Sequence, residues 1–270
     1  MAYPVEHPYH RSLAGYPETI APLTRDDLAA FYEGGYGPQG MTIVVVGAVS
    51  AAEVQARVEE AFGDWEGRTY ERGPLPAVPR IYEVRRCVVP IPGKSQADIV
   101  LGYPGPPRTD PHFLEAMVCN SILGIFGLMG RLGEKVRDEQ GLAYYSFSRL
   151  DGGYGPGPWR VIAGVNPANV ERAIESIRAE IRRLCEEPVG LDELRDNQAF
   201  ITGSLPLRLE TNEGVAGAIL DMERYGLGLD YLRRYGDLIN SITVEQVQAA
   251  ARGWLDPDAY ALAIAGPPEE

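Results

Sequence analysis

YPETIAPLTRDDLAAFYEGGYGPQGMTIVVVG, residues 16–47, aligns without a gap onto YGDLINSITVEQVQAAARGWLDPDAYALAIAG, residues 235–266. Seven aligned positions are identical, and the apolar positions between them stay in register, as for Ile43 with Leu262. A pattern repeated at one offset indicates a repeated supersecondary unit with the same buried face. The alternative is two unrelated helix-and-strand segments that match by chance. Because the first copy lies near the start and the second ends the chain, we expect one whole domain preceded by the end of another.

The bulk composition describes an acidic globular chain. It has 270 residues, of which 45% are hydrophobic, and this is an ordinary value for a protein with a substantial core. The net charge of −13 disfavours nucleic acid and anionic membrane surfaces, since both select for clustered Lys and Arg. The sequence has no apolar run long enough for a membrane span and no apolar segment typical of a signal peptide. We therefore expect a soluble protein, with the cytoplasm as the favoured compartment.

The cysteines and histidines give no metal or disulfide pattern. Cys87, Cys119 and Cys185 are odd in number and far apart, which favours reduced thiols over a disulfide framework. His7 and His10 stand in the stretch HPYH, where the proline and the absence of a helical pattern argue against the one-face geometry of metalloprotease helices. The residues therefore predict no metal site in this chain.

Each copy of the repeat reads as a capped helix that leads into an apolar strand. Thr243 begins the second helix with a capping box, and Thr24 begins the first with an acidic variant of that box. The strands, Met41–Val46 and Tyr260–Ala265, are continuously apolar, which predicts burial on both faces. A further box at Ser50 begins a helix whose apolar stripe is expected to face the sheet: Val54, Val58 and Phe62.

The Pro-rich stretch GRTYERGPLPAVPR, residues 67–80, separates two regions. We place the end of a truncated first domain in residues 1–68, a linker in 69–80 and a complete second domain in 81–270. The second region predicts strands near Tyr82–Pro90, Gln96–Tyr103, Ala143–Leu150 and Trp159–Val165, the last two joined as an antiparallel hairpin. Helices are predicted near Pro111–Leu123, Leu128–Glu139, Pro167–Leu184, Leu191–Ser204, Asn212–Tyr225 and Tyr231–Ile239. This order predicts an α+β fold with a mixed sheet and helices on one side.

The stretch NSILGIFGLMGRLGEKVRDEQGLAYYSFS, residues 120–148, holds the candidate chemistry. Arg137 lies near the end of a predicted helix that Gly141 terminates, and Tyr144 lies in the strand that follows. A guanidinium and a phenol at such a corner suit the binding of carbonyl or carboxylate oxygens, or the stabilisation of an oxyanion. Taken singly, the arginine is equally explained by the helix dipole and the tyrosine by packing.

The string GRLGEKVRDEQGLAYYSFS resembles the second-domain signature of the pitrilysin or insulinase-like zinc metallopeptidases (inverzincins). HPYHRSLAGYPETIAPLTRDDLAAFYEGGY and MTIVVVGAV are similar to the end of that family's first domain, and KSQADIVLGYPGP is similar to the start of its second. The resemblance implies two homologous α+β domains that close around an unfolded peptide. It also implies zinc on an H-x-x-E-H helix of the first domain, a motif that this sequence lacks.

The resemblance assigns roles to a few residues of this chain. Arg137 would hold a substrate backbone oxygen, and Tyr144 would help to stabilise the tetrahedral intermediate at a zinc ion supplied from across the cleft. Tyr145 competes with Tyr144, although strand alternation would send it to the opposite face. Three glycines, Gly124, Gly127 and Gly130, resemble the family's substrate-contacting loop, and a flexible turn between helices is the equal alternative.

Three functions remain open. The first is the non-metal, substrate-binding part or subunit of a zinc peptidase, inactive alone, whose partner bears the zinc motif and whose substrate is an unfolded peptide. The second is a structural or assembly subunit of the same fold. The third is an independent enzyme with another site, although no Ser/His/Asp or Cys/His grouping is recognisable. A truncated first domain would expose an apolar face around residues 43–46, so a homodimer through that face is also expected.

Overall fold

The computed structural model describes residues 1–67, 73–125 and 130–268. Contacts divide these residues into two compact units. The larger unit comprises Met1–His10, Ala77–Ser204 and Asp230–Glu270, and the smaller comprises Arg11–Pro76 and Leu205–Leu229. Each unit combines separate stretches of the chain, so the units do not correspond to the consecutive domains inferred from the sequence. Those domain bounds remain a proposal.

The larger unit is built on a five-stranded mixed sheet. Its strands are β1 (Arg85–Pro90), β2 (Ala97–Pro104), β3 (Ala143–Leu150), β4 (Pro158–Val165) and β5 (Ala261–Gly266). The order is β1-β5-β2-β4-β3, in which β1 is parallel to β5 and every other pair is antiparallel. The predicted hairpin of β3 and β4 is confirmed.

The helices of this unit lie on one side of the sheet, as the sequence predicts for an α+β fold. They are α4 (Phe113–Gly124), a π-helix (Gly133–Glu139), α5 (Val170–Glu186), α6 (Leu191–Arg208), α8 (Tyr231–Asn240) and α9 (Val244–Trp254). Of these, α4, α5 and the π-helix contact the strands of the sheet. Alternate residues of β2 and β4, among them Ile99 and Val161, are fully buried, and Ile177 and Ile181 of α5 lie in the same core. The residues between them, such as Val100, are only half-buried, so the sheet keeps one open face.

The smaller unit contains α1 (Pro17–Ile20), α2 (Arg25–Gly35), α3 (Ala51–Phe62) and α7 (Asn212–Arg224). The strand predicted at Met41–Val46 is wrong: this segment pairs with no strand in the described part of the chain, and it is largely exposed. The apolar stripe of α3 also faces no sheet, and α3 buries none of its residues. Both predictions fail for one reason, because a strand and an amphipathic helix are buried only when other elements cover them.

The helices of the two copies of the repeat begin alike. The capping boxes of Thr24 with Asp27 and of Thr243 with Gln246 are both formed, as is the box at Ser50. The unit boundaries also repeat, since the chain changes unit between residues 10 and 11 and again between residues 229 and 230, at the same 219-residue offset as Tyr16 and Tyr235. In both copies, therefore, the boundary between the units falls at an equivalent position, and the residues before that boundary belong to the other unit.

The N-terminal segment packs onto the β3–β4 connection of the larger unit. The Tyr3 hydroxyl donates to the Pro156 carbonyl at 2.9 Å, and the Gly155 amide donates to the Tyr9 hydroxyl at 3.2 Å. The imidazole of His7 is fully buried between the rings of Tyr3 and Tyr9.

Candidate functional site

A rigid corner joins the π-helix to β3. Gly141 ends the helical segment with a φ of +60°, a conformation that favours glycine, and its amide donates to the Arg137 carbonyl at 3.0 Å. The Leu142 amide donates to the Val136 carbonyl at 3.0 Å, and both of these side chains are buried. Within the described residues, the helix predicted near Leu128–Glu139 is a π-helix over Gly133–Glu139, a form often found at functional sites, and residues 128–129 lie outside the described residues.

Arg137 presents its guanidinium to solvent at this corner. Its side chain is 39% exposed, and its only ion pair in the described part of the chain joins its Nε to the Asp138 carboxylate at 3.7 Å. A contact this long to an exposed neighbour is weak, because solvent screens it. The donors of Arg137 can therefore bind an oxygen of another molecule.

Tyr144 is the extra residue of a β-bulge. Ala143 is opposite Val165 and Tyr145 is opposite Gly164, so one additional residue of β3 stands between them. The side chain of Tyr144 is 65% exposed, and its hydroxyl has no hydrogen-bond partner among the described residues. A bulge re-aims a side chain away from the regular pleat, as is common beside active sites. Tyr144 thus offers a phenol donor to the surroundings.

The bulge overturns the alternation argument about Tyr145. Ala143 and Ser146 are both buried, and the two tyrosines between them are not, so Tyr144 and Tyr145 both leave the core side of the strand. Chemistry separates them instead. The Tyr145 hydroxyl donates to Asp98 Oδ1 at 2.9 Å, and burial and this hydrogen bond raise the pKa of Tyr145. Its proton is already committed, whereas that of Tyr144 is not.

Asp98 collects three donors on the open face of the sheet. They are the Tyr145 hydroxyl, the Gln96 amide at 2.8 Å and the Lys94 ammonium. Burial raises the pKa of the Asp98 carboxyl, but these hydrogen bonds outweigh it and hold the pKa below its usual range. The sequence analysis missed this cluster, although the i, i+2 spacing of Gln96 and Asp98 in a strand places both on one face.

Two of the three predicted loop glycines form a narrow neck. Gly124 and Gly130 have φ values of +149° and +100°, and a Cβ on Gly130 would lie 2.4 Å from the Gly124 Cα. Only glycine fits this approach without a shift of the backbone. Gly127 lies outside the described residues. The neck is glycine-dependent, and substrate contact by this loop stays a prediction.

A buried ion pair stands directly after the neck. The guanidinium of Arg131 makes two 2.8 Å hydrogen bonds to the Glu193 carboxylate at the start of α6. Burial raises the pKa of Glu193, but the bonds from Arg131 outweigh it and lower that pKa. The sequence analysis did not single out this pair, although Arg131 is the arginine of the quoted GRL string.

In residues 1–67, 73–125 and 130–268, no three His, Cys, Asp or Glu side chains converge to hold a metal ion. The donor set of this part of the chain therefore does not fit a zinc site. No helix of the same residues has the length and apolar content that crossing a membrane requires.

Comparison with known proteins gives consistent matches. The family model described as "Peptidase M16 inactive domain" matches residues 22–199. An uncharacterized zinc protease of Streptomyces coelicolor is 31% identical over 253 residues, which are 90% of this chain and 53% of that protein. The crystal structure of a peptidase M16 inactive domain from Pseudomonas fluorescens superposes with a TM-score of 0.87 at 25% identity, over 99% of this chain and 63% of that one. The chain thus spans about half to two thirds of the length of these two relatives.

Proposed function

Because the chain belongs to the M16 peptidase family and carries its inactive domain, we propose that it is the substrate-binding partner of a zinc-bearing M16 domain. In this role Arg137 and Tyr144 bind the peptide and stabilise the transition state. The zinc-bearing domain is supplied by another part of the same protein or by another subunit. The chain does not cleave peptides alone, and its own residues provide binding and polarisation only.

The observation that carries this proposal is the free hydroxyl of Tyr144 on a bulge of β3, the strand that follows the helix of the accessible Arg137. Peptide hydrolysis places negative charge on the former carbonyl oxygen, and a preorganised phenol can donate a hydrogen bond to that oxygen. The guanidinium can hold a neighbouring backbone carbonyl in its fork of donors. Together they orient the peptide and stabilise the oxyanion, while water activation belongs to the partner domain.

The smaller unit supports the presence of a homologous partner. In the second copy of the repeat, Ile239 and Ile264 are buried, whereas their equivalents Ile20 and Val45 are exposed. The exposed set also includes Ile43, whose equivalent Leu262 is buried. We define these three exposed side chains, Ile20, Ile43 and Val45, as the repeat face. Other elements of this chain cover the pattern in the second copy. We therefore expect homologous elements of a partner domain to cover it in the first.

Mixing the chain with an M16 protein that bears H-x-x-E-H tests this proposal. Cleavage of an unstructured fluorogenic peptide should appear only in the mixture. Tyr144→Phe should lower kcat on the order of a hundredfold, the scale found for loss of one oxyanion donor, and Arg137→Ala should raise KM. Tyr82→Phe and Arg195→Ala remove another exposed phenol and another exposed guanidinium, and should leave both parameters unchanged.

A structural or assembly subunit of the same fold is the second candidate. It predicts a stable complex with the partner in which Tyr144→Phe and Arg137→Ala change nothing. Equal cleavage by the wild-type and doubly substituted mixtures would therefore reject the catalytic role and favour assembly.

A further inference from the structure

One row of residues crosses three strands directly beside the bulge. Tyr145 of β3 is opposite Gly164 of β4, and Gly164 is opposite Asp98 of β2. The Tyr145 ring lies over Gly164, since a Cβ at that position would stand 2.4 Å from its Cε1 and 2.6 Å from its Cζ. The missing side chain at residue 164 therefore lets the ring pass over β4 and reach β2.

The far end of this bridge is anchored by charge. Asp98 accepts the Tyr145 hydroxyl and the Gln96 amide on Oδ1, and it accepts the Lys94 ammonium on Oδ2. The Lys94 and Asp98 side chains are each about two thirds or more buried, so solvent screens their pairing less than it would an exposed pair. Each of the three donor groups already bonds to Asp98, so the cluster suits a support better than a ligand site.

We propose that Tyr145, Gly164 and Asp98 position Tyr144 by clamping β3 to β2 at the residue after the bulge. The inserted residue of a bulge lacks its own ladder bonds, so the direction of Tyr144 depends on how firmly its neighbours are held. On the N-terminal side of Tyr144 the backbone is held by three buried residues, Val136, Leu142 and Ala143. On the C-terminal side the backbone is held by the hydrogen bond from Tyr145 to Asp98. This inference rests on the proposed role of Tyr144, and Tyr145 and Asp98 are positioning residues.

The isolated chain allows a test that needs no partner. Tyr145→Phe keeps the ring over Gly164 and removes the bond to Asp98. We expect the backbone 15N order parameter of residue 144 to fall from about 0.85, the value of rigid backbone, toward about 0.6. Gly164→Ala, which displaces the ring and keeps both tyrosines, should do the same. Tyr103→Phe is the matched control, because its hydroxyl donates to the Asp256 carbonyl at 2.7 Å from the same sheet, and it should leave residue 144 unchanged.

A double-mutant cycle in the cleaving mixture supplies the functional arm. Tyr145→Phe should lower kcat on the order of tenfold with KM unchanged, since misplacement costs less than loss of the donor. In a Tyr144→Phe background the same change should have no further effect, because the bridge acts through Tyr144. An effect of Tyr145→Phe that persists in that background, or an unchanged order parameter at residue 144, overturns the inference. A mixture that never cleaves rejects the proposed function instead and leaves the order-parameter test standing.

Discussion

Ile239 and Ile20 occupy the same position in the two copies of the repeat, yet Ile239 is 0% exposed and Ile20 is 49% exposed. Ile20 is the last residue of α1, and Ile239 is the penultimate residue of α8. The difference lies in what covers each helix, since α4 packs against α8 in the larger unit and Gln198 of α6 donates to the Ile239 carbonyl at 2.9 Å. One sequence pattern therefore contributes very different amounts of buried area in its two copies.

Alanine at these two positions should separate the copies energetically. Ile239→Ala should lower the free energy of unfolding by about 2–5 kcal/mol, the range for truncation of a buried isoleucine. Ile20→Ala should cost less than about 1 kcal/mol, as is usual for a half-exposed side chain. Urea unfolding followed by circular dichroism measures both. Equal losses would mean that the chain covers Ile20 in solution.

A charge on the repeat face should block docking. Val45→Asp should abolish binding of the H-x-x-E-H partner and any self-association of the isolated chain, because a carboxylate is costly to bury without a partner. Val88→Asp is the matched control, since Val88 of β1 is 47% exposed and Val45 is 51% exposed. Analytical ultracentrifugation with and without the partner measures both effects. Full binding by Val45→Asp would show that the partner docks elsewhere.

Two serines on the same side of β3 should differ in the cost of replacement by alanine. Ser148 donates to Asn120 Oδ1 at 2.8 Å and accepts from Trp159 Nε1 at 2.9 Å, all in the core. Ser146 is equally buried, and its hydroxyl has no partner among the described residues. Ser148→Ala should cost about 1–3 kcal/mol because two buried groups lose their partners, and Ser146→Ala should be close to neutral. Urea unfolding at fixed pH gives both values, and a loss at Ser146 as large as at Ser148 would show a hidden bond there.

Acid should loosen the N-terminal segment through His7. Burial lowers the pKa of the His7 imidazole, and the Tyr9 amide donates to its Nδ1 at 3.1 Å, so the native ring is neutral. The unfolded ring, with a pKa of about 6.5, binds a proton first as the pH falls. Stability is therefore fully present above about pH 6.5 and is lost as the pH falls through the lowered native value.

Hydrogen exchange of the Gly155 amide, which donates to Tyr9, measures this opening. Its protection should fall as the pH is lowered below about 6.5, after correction for intrinsic exchange. His7→Gln should flatten that dependence, and His10→Gln, at an exposed histidine, should leave it as in the wild type. A dependence that survives His7→Gln would assign it to another group.

Local patterns in the sequence predicted much of the fold. β3 matches the predicted Ala143–Leu150, and β4 differs from its prediction by one residue, because alternation and the Gly- and Pro-rich turn between them act locally. The capping boxes at Thr24 and Thr243 also form as predicted. Each of these features depends on residues close together in the chain.

Features that depend on distant pairing could not be read in this way. The bulge at Tyr144 follows from the register of β3 against β4, and the bond from Tyr145 to Asp98 spans three strands. Strand alternation alone therefore gave the wrong reason for preferring Tyr144. The segment Met41–Val46 has a strand sequence, but a strand also needs neighbours that supply its hydrogen bonds. Its equivalent β5 finds them in β1 and β2.

The matching unit boundaries after residues 10 and 229 mean that the units are not consecutive pieces of chain. A protease that nicked the linker would leave one fragment with the first ten residues of the larger unit, and another with residues 205–229 of the smaller unit. The two fragments would stay associated, because each contains a segment that packs within the unit carried mainly by the other fragment. The nicked protein would then migrate as one species in a native gel and separate only in denaturant, and neither half expressed alone would contain a whole unit.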